Sequence, residues 1–524
     1  MDDGWQWPAA VSSPMSSHPS VLVNSTVSSI LIDGSSGGLE LEQQIVPLRS
    51  ESVSNNRGQG NVSIFCLMPT MTADWCSADQ VTIDILPDDV LLELFSLCGE
   101  ANRFNLSWWK TYVHVCRRWR QVIFASPLHL RLVLDCNPRS PVRRSLNIWP
   151  PLPIAIRYSV RDSCGGSEET MATFEHRDHV SEISIYCPMS SEWKKFAMAM
   201  LGPFPALTSL VLVACNALVP VLPETFLGGS APSLRTLILD RIPFPALPKL
   251  LSSATRLVSF RLRNVPGTGY ISPEAMAACL AALPCLKEFR IETQTDPLVD
   301  GTSPSSHTPA VLPSLTLFHF KGIIGYLEHL VARIDSPKLT TLSITSYGRI
   351  LPIPELHRFI SHASKIKLPN RVVVEFYFSM VNLKFMPSDS FTLSMTQVNL
   401  SWQVPLIALV CRELSPLLSR VERLHLHGKA FSSLLDPPDI DPTRWLELFR
   451  PFVAVQNLYI SKKLEPLITP ALQTLTGERS TEVLPELRTL LLKGPQPSES
   501  GSVMQTMQTF ITARRLFDHP VAIE

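Results

Sequence analysis

Ten copies of one short pattern, apolar-x-x-apolar-x-apolar, recur along this chain and constrain its fold more than any other feature. They read Val180-Ile183-Ile185, Leu207-Leu210-Leu212, Leu234-Leu237-Leu239, Leu257-Phe260-Leu262, Leu286-Phe289-Ile291, Leu315-Phe318-Phe320 and Leu339-Leu342-Ile344, then Val421-Leu424-Leu426, Val455-Leu458-Ile460 and Leu487-Leu490-Leu492. Weaker copies sit at Ala363-Ile366-Leu368 and Met395-Val398-Leu400. Consecutive starts in the first run differ by 27, 27, 23, 29, 29 and 24 residues, and in the last by 34 and 32. Such a period marks a stack of similar units, each too small to bury its apolar face alone. Several copies follow a proline (Pro205, Pro232, Pro284, Pro313, Pro337, Pro485), a turn that delivers a short strand. Segments such as 191–201, 273–283, 323–334 and 443–452 have helix-compatible spacing between the strands.

One strand and one helix per unit predicts an α/β solenoid, and the units resemble irregular leucine-rich repeats. Most lack the Asn or Cys that ends the strand in that family, although Cys215 and Asn264 partly fill the position. The plain alternative is an ordinary α/β domain with coincidental Leu-x-x-Leu-x-Leu strings. The segment Arg371–Phe378 reads as an extra strand outside the repeat, 296–309 and 495–501 as loops, and 504–516 with 521–523 as a C-terminal cap.

A second feature precedes the repeats. Pro87, Asp88 and Asp89 suit the first turn of a helix, and Val90, Leu91, Leu94 and Phe95 follow at helical spacing. After a polar break at 99–107 the apolar period resumes at Trp108, Trp109, Tyr112 and Val113 and continues through Phe124. Three short helices cannot bury so many large side chains alone, which implies a partner surface. Leu86-Pro87-x-Asp89-Val90-Leu91-x-x-Leu94-Phe95, then Val115-Cys116-Arg117-Arg118-Trp119-Arg120, resembles an F-box, and Phe124-Ala125-Ser126-Pro127 with Ile148-Trp149-Pro150-Pro151 is similar to a large group of fungal F-box proteins of leucine-rich-repeat-like type. The link Cys98–Ser107 is longer than the family pattern. The resemblance implies docking on the Skp-type adaptor of an SCF (cullin–RING) ubiquitin ligase and, through it, on cullin. Carried over residue by residue, it makes Leu86, Pro87, Val90, Leu91, Leu94, Phe95, Val115, Cys116 and Trp119 the adaptor-binding or module-core positions.

The expected organisation is therefore a disordered Ser/Asn-rich tail at 1–80, an F-box-like helical module at 81–134, a Pro-rich connector at 135–160 and a repeat domain with a C-terminal cap at 161–524.

Composition narrows the function. Lys+Arg and Asp+Glu are 46 each, so no basic excess speaks for nucleic acid or a membrane surface. No apolar run reaches the ~20 residues of a membrane span, and the first residues form no secretory leader. The 11 cysteines include no CxxC pair, which points to mostly reduced core thiols in a cytoplasmic or nuclear protein and not to a disulfide framework or zinc site.

Catalytic signatures are absent from the sequence. There is no P-loop, no GxGxxG after a strand and no GxSxG elbow. His176-Arg177-Asp178 imitates a kinase catalytic loop without its other parts, and His425 with His427 has metal-capable spacing without a third ligand nearby. No metal, cofactor or enzymatic activity is expected. Binding is left, and a solenoid binds through side chains between its apolar strand positions: Val211, Ile238, Arg261, Arg263, Arg290, His319, Ser343, Thr345, His425, His427, Tyr459 and Leu491. Alternation puts each on one of two faces, and the sequence leaves that face open. The leading expectation is a substrate-recognition subunit holding an unidentified target protein. The alternative is a non-catalytic repeat scaffold whose helical module is only an N-terminal cap.

Overall fold

In the computed structural model the described residues run from 85 to 523, leaving out 102–107, 127–130, 138–141, 149–151, 160–166, 187, 189, 216–218, 294–307, 348–351, 367–368, 388, 397–399, 430–439, 476 and 494–499. The expected tail at 1–80 and most of the loops expected at 296–309 and 495–501 lie outside them.

Three helices open the described chain: α1 (Asp88–Ala101), α2 (Trp108–Tyr112) and α3 (Arg117–Ala125). The strands follow as β1 (Leu132–Asp135), β2 (Ile154–Ser159), β3 (Val180–Tyr186), β4 (Ser209–Val213), β5 (Thr236–Asp240), β6 (Ser259–Val265), β7 (Glu288–Thr293), β8 (Ala310–Val311), β9 (Leu317–Ile323) and β10 (Ile334–Asp335). They continue as β11 (Thr341–Tyr347), β12 (Arg371–Phe376), β13 (Met380–Met386), β14 (Phe391–Thr396), β15 (Arg423–Gly428), β16 (Asn457–Ser461), β17 (Thr489–Lys493) and β18 (Ala522–Ile523). Sixteen of these form one sheet in the order β1-β2-β3-β4-β5-β6-β7-β9-β11-β14-β13-β12-β15-β16-β17-β18, and β8 pairs with β10 apart from it. This is a leucine-rich-repeat-like α/β architecture with a large, mostly parallel sheet.

The repeat builds the sheet through its middle apolar residue. Ile183, Leu210, Leu237, Phe260, Phe289, Phe318 and Leu342 stand opposite one another from strand to strand. All seven are fully buried. Phe260, Phe289 and Phe318 stack with centroids 5.6 and 5.3 Å apart. The same face takes the helices between strands, such as Pro273–Ala281 with Met276, Ala277 and Leu280 inward. Because strand side chains alternate, the residues between the apolar ones all fall on the opposite, solvent face.

Two expectations need correction. The stretch read as a connector, 135–160, holds the end of β1, helix Val142–Ile148 and β2, so the sheet starts at Leu132. Pro153 stands just before β2, where a missing N–H does no harm, while Ile154, Ile156 and Tyr158 supply the inward face of the strand. The weak copies at 363 and 395 are not repeat strands either. Ala363 and Ile366 follow helix Pro354–His362, Met395 lies near the end of β14, and Leu400 opens helix Leu400–Glu413. In their place β12, β13 and β14 make a meander in which β13 runs antiparallel to both neighbours. Val372, Val374, Val381, Leu383, Phe391 and Leu393 carry its inward face with a simple period of two.

At the far end, helix Ser500–Leu516 covers the last repeat, and β18 pairs with β17. The fully buried Arg514 of that helix donates to the carbonyls of Ser480 (2.9 Å) and Pro485 (2.8 Å). Cys116, Cys136, Cys279, Cys285 and Cys411 are free thiols. Cys215 is disulfide-bonded, an exception to the expectation that most of the cysteines are reduced.

Candidate functional site

The helical block closes around an aromatic cluster. Phe95 on α1 stacks on Tyr112 of α2 at 5.2 Å and meets Trp119 of α3 at 4.8 Å. Cys116 caps α3, its sulfur accepting from the Trp119 N–H at 3.4 Å. The arginines beside Trp119 are tied down, not free in solvent. Arg118 Nη2 lies 2.7 Å from Asp88 in the first turn of α1 and donates to the Leu86 carbonyl, so α3 clamps the α1 N-terminus. Arg120 donates to the Val113 carbonyl at 2.9 Å. The block is also seated on the sheet. Buried Trp109 donates its indole N–H to the Arg131 carbonyl (2.8 Å) just before β1, and Leu91, Phe95, Val113, Val122 and Ile123 belong to the same continuous core as Leu132 and Leu134.

This packing divides the nine residues singled out from the sequence. Leu91 (0% exposed) and Phe95 (3%) point into the core, and Cys116 and Trp119 are half-buried parts of the α3 junction. Val90 (40%) and Leu94 (38%) remain exposed and are joined by Leu97 (53%), which sequence reasoning missed. Pro87 and Val115 are exposed, and Leu86 is half-buried. At ~100° per residue, Val90, Leu94 and Leu97 form one stripe and Leu91 with Phe95 the adjoining one. Thus α1 has a wide apolar arc of which the chain itself covers half.

The sheet offers a second surface. Val211, Ile238, Arg261, Arg263, Arg290, His319, Ser343, Thr345, His425, His427, Tyr459 and Leu491 all lie on its solvent face, partly exposed. At its middle, Arg261 and Arg290 both pair with Glu288, and Arg263 (3.7 Å) and Lys321 (3.4 Å) with Glu292. Burial works to raise the Glu288 carboxyl, but hydrogen bonds from Arg261, Arg290 and Ser259 outweigh it and hold it below the ordinary carboxylate value. Farther along, Glu375 sits between Lys384 (2.7 Å) and Lys429 (3.5 Å).

Beyond Glu375 the rings of His425, His427 and Tyr459 gather. His425 stacks on Tyr459 at 5.1 Å with planes 22° apart, and His427 lies 5.1 Å from the same ring. Burial, reinforced by the positive charge of Arg371, His427 and Arg423, pushes the His425 imidazole down to about 4, so it is neutral near pH 7. That surrounding charge opposes a bound cation, and no group of three or more potential metal-ligating side chains occurs among the described residues.

Cavities open elsewhere among the described residues. One, of about 500 Å³, lies between helices Leu400–Glu413 and Pro442–Phe449, with Arg412, Arg444 and Arg450 in its wall. Another, of about 560 Å³, lies at the ends of β1 to β3 and includes Cys136, whose thiol burial pushes up to about 12. A thiol held protonated in this way is the opposite of an activated nucleophile. No helix among the described residues is long and apolar enough to cross a membrane.

No family model matches the chain, and no curated protein matches it. Among solved structures it is similar to the leucine-rich repeat-containing protein LegL7 from Legionella pneumophila, at 14% identity over 73% of this chain and 97% of that one, with a TM-score of 0.25. A score that low carries no argument, and the repeat architecture rests on strand order and register.

Proposed function

We propose that this chain is the substrate-recognition subunit of an SCF (cullin–RING) ubiquitin ligase, with the exposed half of α1 as its seat on a Skp-type adaptor and the solvent face of the sheet as its hold on a target protein. The chain's contribution is to bring the target near the ubiquitin-loaded enzyme, with no covalent chemistry of its own. The observation that carries the reading is the uncovered stripe Val90, Leu94 and Leu97 beside exposed Ile85 and Pro87. It lies on the element whose sequence resembles the docking helix of an F-box. An apolar stripe of this kind on an otherwise satisfied helix fits a partner.

One observation favours a second reading. The Trp109–Arg131 hydrogen bond and the shared core seat the block on β1 as a cap would sit. A cap needs that inner side only, and the outer stripe has no work to do in it. Size-exclusion chromatography of the full-length chain mixed with a purified Skp-type adaptor separates the two. Co-elution at one-to-one stoichiometry is expected. Separate elution of two folded proteins refutes the adaptor reading and leaves the scaffold.

A further inference from the structure

The strongest uncommitted feature of the sheet face lies where β12 meets β15. Arg371 and Arg423 are direct cross-strand neighbours in a parallel pair. Both side chains fall on the solvent face, since Val372 and Leu424, the next residue of each strand, are fully buried. Neither guanidinium has a carboxylate or side-chain hydrogen-bond partner among the described residues. Elsewhere on this face cations share carboxylates, as Arg261 and Arg290 share Glu288 and as Lys384 and Lys429 share Glu375. Like charges directly opposite one another destabilise a sheet, so an unneutralised pair has a cost that a bound anion would remove.

The surroundings extend the pair into a site. In register, the row runs Arg371, Arg423, Asn457, Thr489: two cations, an amide and a hydroxyl. The parallel row two residues along runs Val373, His425, Tyr459, Leu491, and its His425 and Tyr459 rings are stacked. A line of hydrogen-bonding groups therefore lies beside a line of apolar and aromatic surface, both running across the strands. Two adjacent guanidiniums match a group carrying close to two negative charges and three acceptor oxygens, which is a phosphate monoester near pH 7. An open sheet face suits an extended segment more than an enclosed small molecule.

We propose that Arg371 and Arg423, flanked by the His425–Tyr459 platform, form a binding site for a phosphorylated side chain on an extended protein segment lying across β12, β15, β16 and β17. This deepens, and rests on, the reading of the sheet face as the target-holding surface. The site selects for a phosphate near an aromatic or apolar neighbour.

The test uses the full-length chain and four probes: phenyl phosphate, benzoate, a phosphoserine peptide pool with its unphosphorylated twin, and AMP. Phenyl phosphate carries the charge and a ring, and benzoate carries a single carboxylate with the same ring. Calorimetric titration is expected to give saturable binding of phenyl phosphate, at least tenfold weaker binding of benzoate, and at least tenfold loss of phenyl phosphate affinity in R371Q/R423Q. R371K/R423K, which keeps the charge and loses the planar fork, falls between. A pool of phosphoserine peptides with an aromatic neighbour should be retained over its unphosphorylated twin by wild type and not by R371Q/R423Q. Absence of saturable phenyl phosphate binding, equal affinity in R371Q/R423Q with an unchanged circular dichroism spectrum, or tight binding of AMP without retention of the peptides overturns the proposal. Adaptor co-elution of the same variants reports separately on the ligase reading, so either can fail while the other stands.

Discussion

The division of α1 into two stripes makes a reciprocal prediction. Leu91 is fully buried against the aromatic cluster, and truncating such a side chain costs about 2–5 kcal/mol, because the cavity term adds to the lost transfer energy. Val90, Leu94 and Leu97 border solvent at 40%, 38% and 53% exposure, so each truncation costs about 1 kcal/mol or less of folding stability. What they have left to bury is available to a partner. Their exposed fractions together amount to a little more than one whole apolar side chain, worth roughly 2–4 kcal/mol at 1.5–3 kcal/mol per side chain. In affinity that is about 30- to 1,000-fold. Denaturant unfolding and calorimetric titration with a Skp-type adaptor read the two quantities on the same proteins. Leu91→Ala is expected to lower the unfolding midpoint strongly. V90A/L94A/L97A should lose no more than about 3 kcal/mol over its three truncations, less per residue than Leu91→Ala, stay folded, and lose adaptor affinity by the stated factor. Unfolding of Leu94→Ala as readily as Leu91→Ala, or adaptor binding by the folded triple variant as tight as wild type, would refute the division of α1.

Three further outcomes are expected. Phe289→Ala removes the centre of the Phe260–Phe289–Phe318 stack and should cost about 3–5 kcal/mol in denaturant unfolding, with Phe289→Leu costing under about 1.5 kcal/mol; a loss below 1 kcal/mol for the alanine would contradict the ladder as core. Arg514→Met strands the Ser480 and Pro485 carbonyls, so stability should fall by about 1–3 kcal/mol and amide exchange in β17 should quicken; unchanged exchange there would deny the cap its role. His425, with a folded-state value of about 4 against about 6.5 in the unfolded chain, takes up its proton more readily when unfolded. Its contribution to stability therefore rises with pH between those values and is flat above, a dependence reduced by solvent at this half-exposed site. H425Q should show a shallower fall in melting temperature from pH 6.5 to 4, and an identical slope would refute the assignment.

The sequence made the parallel strands legible because the middle apolar residue of each unit is both a periodic signal and the register point of the sheet. It also located the solvent-face residues, although only the burial of Leu210, Leu237 and their equivalents assigned that face. The meander was illegible for a physical reason. Antiparallel strands joined by short turns need only a period of two, so 371–396 carries no repeat unit to align. Arg371 could not be placed beside Arg423 from sequence for that reason. His425 and Tyr459 could have been placed. They occupy the same slot in Val421-x-x-Leu424-x-Leu426 and Val455-x-x-Leu458-x-Ile460, and aligning the frames puts them side by side. On α1 the periodicity reports apolar residues without saying what covers them, so Val90, Leu91, Leu94 and Phe95 read as one face. Tertiary packing against Tyr112 and Trp119 divides them. β1 was hidden because Leu132-Val133-Leu134 follows the helical block directly and reads as its end.

Adaptor docking through α1 is tested most directly by amide hydrogen exchange on the full-length chain with and without a saturating Skp-type adaptor. Slower exchange across residues 85–97 and unchanged exchange in β3 to β11 are expected. Protection confined to the sheet, or none at all in 85–97 under conditions where the two proteins co-elute, would contradict docking through α1.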